Sequence, residues 1–455
     1  MASLFKGYDK HAQYLLPPSV TDWLNKDHLA YFVSDVVEQL DLSEIKNSYK
    51  RGGAQGYDPE ILIGLLFYGY MTGVFSSRKI EAATFESIPF RYLAANQHPD
   101  HDTIANFRKR FLPQLAGIFF QILNIAREMG VKKVGTVSLD GTKIHANASK
   151  HKALSWKYAN KLEEQLKAEI ADLIRQAEVA DTMPDDRGMN IPQEIAIREE
   201  RLKAIDNAKG KIAARAQERY AREKEQYDEK MRKREEKTKA TGKKPGGKPP
   251  VPPVAEPQDK DQVNLTDEES RIMPVKGGSF DQCYNAQACV DVESMLIVAT
   301  DVTINTNDKQ EIAPAMDALE KLPENIAKID AVLADTGYHS AANVDLCIDH
   351  NIQPLIAEKR EKHHLSPQER FAEPPPLSED ATAVMQASHR LKTQEGKKLY
   401  AKRKSTVEPV FGIIKSVMGF RQFMMRGVEK AKGEWNLVAI CWNIKRLHKI
   451  RVNMA

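Results

Sequence analysis

Two segments of the sequence place an aspartate directly after an apolar stretch. Asp140 does so in VSLDGTK and Asp335 in VLADTGYH, and a glycine follows each acid within two residues. Both segments predict a β-strand that ends at the acid. Because the carboxyl ends of neighbouring strands in an α/β sheet lie side by side, we expect the two carboxylates to be close together. Like charges at close range repel unless a cation lies between them, and oxygen ligands suit Mg²⁺ or Mn²⁺.

A third carboxylate, Glu408, lies in the most basic part of the chain. From Lys397 to the C-terminus there are 14 Lys or Arg residues against three Glu, a balance that suits a polyanion such as nucleic acid. The surrounding pattern predicts a helix on which Lys415 follows Glu408 about two turns later. A metal ion shared with the two aspartates would give this isolated acid a partner.

Each of these features also has an ordinary structural explanation. A single Asp before Gly is most often a turn residue. Glu408 alone could form a surface salt bridge, and the basic segment could be a solvated surface. The hypothesis of a metal site therefore rests on the joint arrangement: two matching strand ends and a helical glutamate beside a basic segment.

The elements that must position these acids form a mixed α/β core. From residue 131 the pattern predicts a strand, a large insert, two strands, a helix, a strand, a helix, a strand and a final helical region. Residues 1–130 are predicted to be all-helical, with Asp58 as an N-cap before Pro59. This region fits a DNA-binding helical module or a plain scaffold. Its HPDHD segment, residues 98–102, is predicted to be a turn and helix cap rather than a metal site.

The insert has its own pattern. Residues 155–236 carry apolar residues at three- and four-residue steps among many charges, and DTMPDDRGMN interrupts them, which predicts a helical hairpin. Residues 237–264 are rich in Pro, Gly and Lys and are predicted to be a linker. The α/β domain is therefore expected to comprise residues 131–154 and 265–455.

Composition places the chain among soluble globular proteins. It has 455 residues, 42% hydrophobic and 29% charged. Its four cysteines have no C-x-x-C spacing, which favours a reducing compartment without a zinc knuckle. The N-terminal residues do not have the pattern of a signal peptide, and the longest apolar run is too short to span a bilayer. We therefore expect a cytoplasmic, nucleoid-associated protein with no membrane partner.

With these motifs the sequence resembles the DDE-type transposases of bacterial insertion sequences, in the branch with a helical insertion after the first strand. The matching residues are Asp140 in SLDGTK, Asp335 in LADTGY and Glu408 in VEPVFGIIK. Residues 270–291 and the helical N-terminal region are also similar to that branch. The resemblance implies an RNase H-like mixed sheet flanked by helices as the catalytic domain.

A family signature around the glutamate, Y-x2-R-x3-E-x6-K, fits the second half of the segment. Glu408 and Lys415 match it as they stand. Tyr400 and Arg403 keep their mutual spacing but lie one residue further from Glu408 than the signature has, and Lys404 occupies the position of its arginine.

The resemblance implies DNA cleavage and strand transfer with two Mg²⁺ or Mn²⁺ ions, acting on the element's terminal repeats and on target DNA, by a homodimer on DNA. We expect Asp140 to bridge both ions, Asp335 and Glu408 to ligate one each, and Lys415 to meet a phosphate. Tyr338 could contact a flanking nucleotide, as could the next residue, or it could be a core residue. The residues expected to contact DNA are Lys143, Tyr338, His339, Tyr400, Arg403, Lys404, Arg421 and Arg426.

Two other functions fit the same residues. The first is a nuclease of the same fold that cuts DNA without joining it. The second is a DNA-binding derivative without catalysis, against which the three intact acidic positions argue.

Overall fold

The computed structural model describes residues 19–49, 56–180, 191–242, 246–275, 277–358, 373–378 and 380–454. The chain forms two compact units. Unit 1 comprises Met1–Ala146 and Cys283–Ala455, and unit 2 comprises Asn147–Gln282.

The described chain contains helices and strands in alternation after an all-helical start. The helices are α1 (Leu29–Glu38), α2 (Ser43–Asn47), α3 (Pro59–Thr72), α4 (Ser77–Glu86), α5 (Ile88–Leu93), α6 (His101–Phe111), α7 (Leu115–Glu128), α8 (Trp156–Ala180), α9 (Ile191–Thr241), α10 (Ile312–Glu320), α11 (Ala341–Asp349), α12 (Ala383–Lys392), α13 (Gln394–Ser416) and α14 (Val428–Met454). The strands are β1 (Val134–His145), β2 (Ala153–Ser155), β3 (Gln262–Asn264), β4 (Arg271–Pro274), β5 (Phe280–Asp291), β6 (Ile297–Thr303), β7 (Ala327–Ala334) and β8 (Gln353–Ile356).

The N-terminal helices begin where the sequence predicts. Asp58 caps α3 by accepting a hydrogen bond from the backbone N–H of Glu60, and Pro59 occupies the first turn, where no intrahelical donor is needed. In HPDHD, Asp100 caps α6 and His101 contacts Glu81. This segment is therefore a turn and helix cap, as predicted. In the described part of the chain no group of three His, Cys, Asp or Glu is arranged to hold a metal ion.

Helix α3 lies in the interior of unit 1, with most of its residues buried all round. Among the described residues, no single helix is long and apolar enough to cross a membrane. Only α3 and α4 taken together meet those criteria, and a bend of 98° separates them.

The sheet of unit 1 is mixed and has β1 at its centre. On one side β1 pairs antiparallel with β5, which pairs in turn with β6; on the other side it pairs parallel with β7, followed by β8. Helix α13 packs against β1, while α10 and α14 pack against β6. This is the RNase H-like mixed sheet flanked by helices that the resemblance predicts. The predicted order of strands and helices is confirmed.

One prediction about β1 is wrong. The strand does not end at Asp140 but continues to His145, because β5 goes on providing hydrogen-bond partners: Asp140 lies opposite Ala288 and His145 opposite Cys283. On the other side, pairing with β7 reaches only Ser138. Asp140 therefore lies within a strand, at the level where its parallel neighbour has ended.

Unit 2 is inserted between β1 and β5. Helices α8 and α9 pack together through apolar residues such as Leu166, Ile205 and Ile212, beside the short β2–β3 ribbon. The predicted break between the helices, residues 181–190, lies outside the described residues. Helix α9 continues to Thr241, five residues into the range predicted to be a linker. Near this end of the helix, Arg234 donates a hydrogen bond to the Gly247 carbonyl.

A buried carboxylate joins α14 to the N-terminal helices. Glu434 is fully buried, and its Oε1 accepts a hydrogen bond from Tyr70 Oη at 2.6 Å. Its Oε2 accepts from the backbone N–H groups of Met424 and Met425, and Arg108 donates to the same Tyr70 hydroxyl. Burial raises the pKa of Glu434. The N-terminal helices and the sheet thus share one core across the predicted boundary at residue 130.

The hydrogen bond from Tyr70 to Glu434 should make a measurable contribution to the free energy of unfolding. Tyr70→Phe removes a donor from a buried carboxylate and should lower the free energy of unfolding by about 1–3 kcal/mol. Tyr68→Phe is the control, because this neighbour on α3 is also buried but its hydroxyl has no hydrogen-bond partner among the described residues. Urea unfolding of both variants gives the comparison. Equal losses in the two variants would contradict this account of the network.

Candidate active site

Arg403 joins two of the three predicted acids. Its Nη1 donates to Asp140 Oδ2 at 3.3 Å and its Nη2 to Glu408 Oε1 at 3.2 Å. The Arg403 side chain is 11% exposed and that of Asp140 18%, whereas Glu408 is 51% exposed. Helix α13 crosses β1 so that one guanidinium lies between a buried strand carboxylate and a more open helical one.

Asp335 approaches the same place from the end of β7. Its Oδ1 accepts a hydrogen bond from Gly337 N at 2.7 Å, which starts a short 3-10 turn. Burial raises the pKa of Asp140 to about 7; the Arg403 charge opposes this shift, and the nearby charge of Asp335 adds to it. The charge of Asp335 thus acts on Asp140, and a shared site for the two carboxylates stays a prediction.

The donor atoms at this position have the chemistry that a divalent cation needs, although no group of three His, Cys, Asp or Glu among the described residues is arranged to hold a metal ion. Carboxylate oxygens are the ligands that Mg²⁺ and Mn²⁺ prefer. Burial and the neighbouring Asp335 make the ionised form of Asp140 unfavourable, so a cation between the two would stabilise both. The Arg403 guanidinium supplies part of that positive charge.

Lys415 is held at the edge of the same strand. Its Nζ donates to the backbone carbonyl of Lys143 at 2.9 Å, and its own carbonyl accepts from Arg421 Nε at 2.9 Å. The two lysines and Glu408 therefore border one end of β1. This arrangement positions an ammonium group about two helical turns from Glu408.

Comparison with known families agrees with this geometry. The family model described as a transposase DDE domain matches residues 255–444, and the one described as a transposase domain (DUF772) matches residues 18–110. The chain belongs to the DDE-type transposases of insertion sequences. Comparisons with curated proteins and with solved structures find no significant match. Asp335 and Glu408 lie within the matched DDE domain, whereas Asp140 lies between the two matched regions.

The transposase presents several of the predicted DNA-contacting residues to solvent, but not all. Lys404, Arg421 and Arg426 are exposed, and His339 is half-buried. Tyr400 is half-buried and packs against an apolar cluster of the sheet.

The prediction that Tyr338 contacts DNA needs correction. This tyrosine is fully buried, and its hydroxyl donates to Gln287 Oε1. It is a core residue beneath the strand end, which was the alternative interpretation. Trp435 is also fully buried, and its Nε1–H donates to the Gln287 carbonyl at 2.8 Å.

One acid whose charge acts on Asp140 was not identified from the sequence. Asp308, in the loop between β6 and α10, accepts hydrogen bonds on Oδ1 from Asn285 Nδ2 at 2.7 Å and Gln287 Nε2 at 2.8 Å. The loop sequence has no motif that marks it. A signal was present in β5, where two amide residues alternate with apolar ones in a strand that is otherwise buried. Buried amides need partners, and one of theirs is this carboxylate.

The raised pKa of Asp140 predicts a specific pH dependence. The pKa of this carboxyl in the unfolded chain is near 4. Keeping Asp140 ionised in the folded protein therefore lowers the free energy of unfolding by its full amount above pH 7, and this loss disappears as the pH falls towards 4. Asp140→Asn removes this cost. In the presence of EDTA at pH 8 the variant should be more stable than the unsubstituted protein by about 2–4 kcal/mol, and the difference should shrink as the pH is lowered.

Chemical unfolding at pH 8 and at pH 5 measures this difference. Asp317→Asn, on the exposed face of α10, is the control and should show no comparable gain. A loss of stability at pH 8 in Asp140→Asn would mean that the Arg403 ion pair outweighs burial.

Proposed function

We propose that this transposase binds the terminal repeats of its element, cleaves DNA there and joins the freed ends to target DNA, using divalent ions held by Asp140, Asp335 and Glu408. The observation that carries the proposal is the contact of one guanidinium, that of Arg403, with both Asp140 and Glu408 while Asp335 acts on Asp140 through its charge. Three acids far apart in the sequence would thus act together at one position.

Asp140, Asp335 and Glu408 would hold the divalent ions, which would supply activation of the attacking oxygen and neutralisation of charge on the departing 3′-oxygen. Arg403, which contacts Asp140 and Glu408, would contact a phosphate oxygen of the bound DNA. Lys415, anchored to the Lys143 carbonyl, would neutralise charge on the phosphate near the cut.

The surroundings of the acids suit a polyanion. Lys404, Arg421 and Arg426 are exposed on α13 and the segment after it, and charges of this kind contact backbone phosphates without reading sequence. We infer that they guide the DNA end to the acids. Joining two ends to one target requires two active sites, so we propose a homodimer on DNA. Association with the nucleoid would follow from the same DNA binding.

The three acids should be required for cleavage but not for binding. Asp140→Asn, Asp335→Asn and Glu408→Gln should each lower the rate of end cleavage with Mg²⁺ by about a hundredfold or more, because a metal ligand is lost. Gel-shift affinity for the same end should stay within a few-fold. Glu429→Gln, an exposed acid at the start of α14, is the matched control and should cleave normally. Near-normal cleavage by any of the three variants would remove that residue from the site.

The same purified protein can distinguish the proposed transposase from the two alternatives, a nuclease that does not join DNA and a non-catalytic DNA-binding derivative. Ends supplied with a free 3′-hydroxyl should be joined to target DNA by the unsubstituted protein. Cleavage without joining would support a nuclease. Binding without either reaction would support a non-catalytic derivative.

Arg403 should have opposite effects on metal binding and on catalysis. Arg403→Ala removes the cation that competes for Asp140 and Glu408, so Mn²⁺ affinity measured by calorimetry should rise several-fold. End cleavage should fall by about tenfold or more, since a phosphate contact is lost. Lys402→Ala, on the same helix but exposed, removes an equal charge and should change neither by as much. Weaker Mn²⁺ binding in Arg403→Ala would show that the arginine supports the metal site rather than competing with it.

A further inference from the structure

We propose that Asp308 is a fourth carboxylate of the metal site and contributes to the same divalent ion as Asp335. The inference rests on the proposed function, because it concerns the ions that the three acids would hold. It assigns a role to a loop residue outside the acidic motifs of the sequence.

The first observation is that Asp308 is held in one orientation by amides. Asn285 and Gln287 project from neighbouring positions on one face of β5 and donate to Asp308 Oδ1 at 2.7 and 2.8 Å. Gln287 is itself fixed, since its Oε1 accepts from the buried hydroxyl of Tyr338. Two amide donors on a single carboxylate oxygen leave the other oxygen available. Among the described residues, Asp308 Oδ2 has no hydrogen-bond partner.

The second observation is where the two oxygens of Asp308 lie. A Cβ placed on Gly337 would be 2.9 Å from Asp335 Oδ1 and 3.7 Å from Asp308 Oδ2. A Cβ placed on Gly141 would be 2.7 Å from Asp308 Oδ1. The Asp308 carboxylate therefore lies between Gly141, the residue after Asp140, and the turn that begins at Asp335. Its Oδ2, the oxygen without a hydrogen-bond partner among the described residues, is on the Asp335 side. The Asp308 carboxylate approaches the backbone at Gly141 and Gly337, where no side chain is in its way.

The third observation is an unpartnered buried oxygen. Asn285 is fully buried, and its Oδ1 has no hydrogen-bond partner within the described chain. This oxygen lies beside Gly141, 2.8 Å from the Cβ that an alanine would carry there. Buried carbonyl oxygens almost always accept a hydrogen bond. Mg²⁺ usually retains several water ligands, and a metal-bound water at this position would supply the missing donor.

A competing role for Asp308 is to pair with Lys143. The two side chains are within ion-pair range, but Lys143 Nζ is 3.8 Å from Asp308 Oδ1. That distance is too long for a hydrogen bond. The ammonium approaches the oxygen that the amides already occupy, so this ion pair does not account for the free Oδ2.

Mn²⁺ binding to the full-length protein tests the proposal without DNA or turnover. Asp308→Asn is nearly isosteric and can keep the amide contacts through its own carbonyl oxygen. It should weaken the binding of one Mn²⁺ by about tenfold or more in titration calorimetry. Asp301→Asn is the matched control, because Asp301 has the same side-chain exposure, 24%, and also pairs with a lysine. It should bind Mn²⁺ like the unsubstituted protein.

Two further variants make each outcome decisive. In a Lys143→Met background, Asp308→Asn should weaken Mn²⁺ binding by the same factor. Loss of the effect there would mean that Asp308 acts only through Lys143, and would overturn the proposal.

The Asp335→Asn variant tests the proposed function itself. If Asp335→Asn loses Mn²⁺ while Asp308→Asn does not, the proposal fails and the three-acid site stands. If the unsubstituted protein binds no Mn²⁺ at millimolar concentration, both fail.

Discussion

Carboxylates that lie together, largely removed from water, need either a positive charge among them or a proton on one of them. That constraint shapes the centre of this transposase. Asp140 lies within a strand, largely removed from water, and Asp335 comes close to it from the next strand. The guanidinium of Arg403 supplies such a positive charge by contacting Asp140 and the more exposed Glu408 at once.

The rest of unit 1 serves to bring these groups together. The parallel pairing of β1 with β7 stops short of Asp140, which leaves room for Asp335 beside it. Helix α13 packs on β1 and delivers both the arginine and the glutamate. Behind them, α14 is tied to the N-terminal helices through the buried Glu434. Displacement of any of these elements would move an acid relative to the others.

Much of the fold could be predicted from the sequence, because hydrophobic period and helix caps are local. The order of strands and helices in the core, the cap at Asp58 and the acid at the end of β7 are examples. The geometry of the candidate site was harder to predict from the sequence. Whether β1 ends at Asp140 depends on β5, which lies far away in the sequence, and Tyr338 is buried because of a partner on that same strand. No sequence motif marks Asp308, because the Asn285 and Gln287 amides that donate to it come close only in the folded chain.

The insertion of unit 2 has a consequence for how such a protein can change. The β1–β5 ladder ends at the pair formed by His145 and Cys283, and the chain of unit 2 connects these two residues. In topological terms unit 2 stands in the place of a β-hairpin loop. The register of this ladder, which sets Asp140 opposite Ala288, therefore places no limit on the length of chain inserted between its two strands.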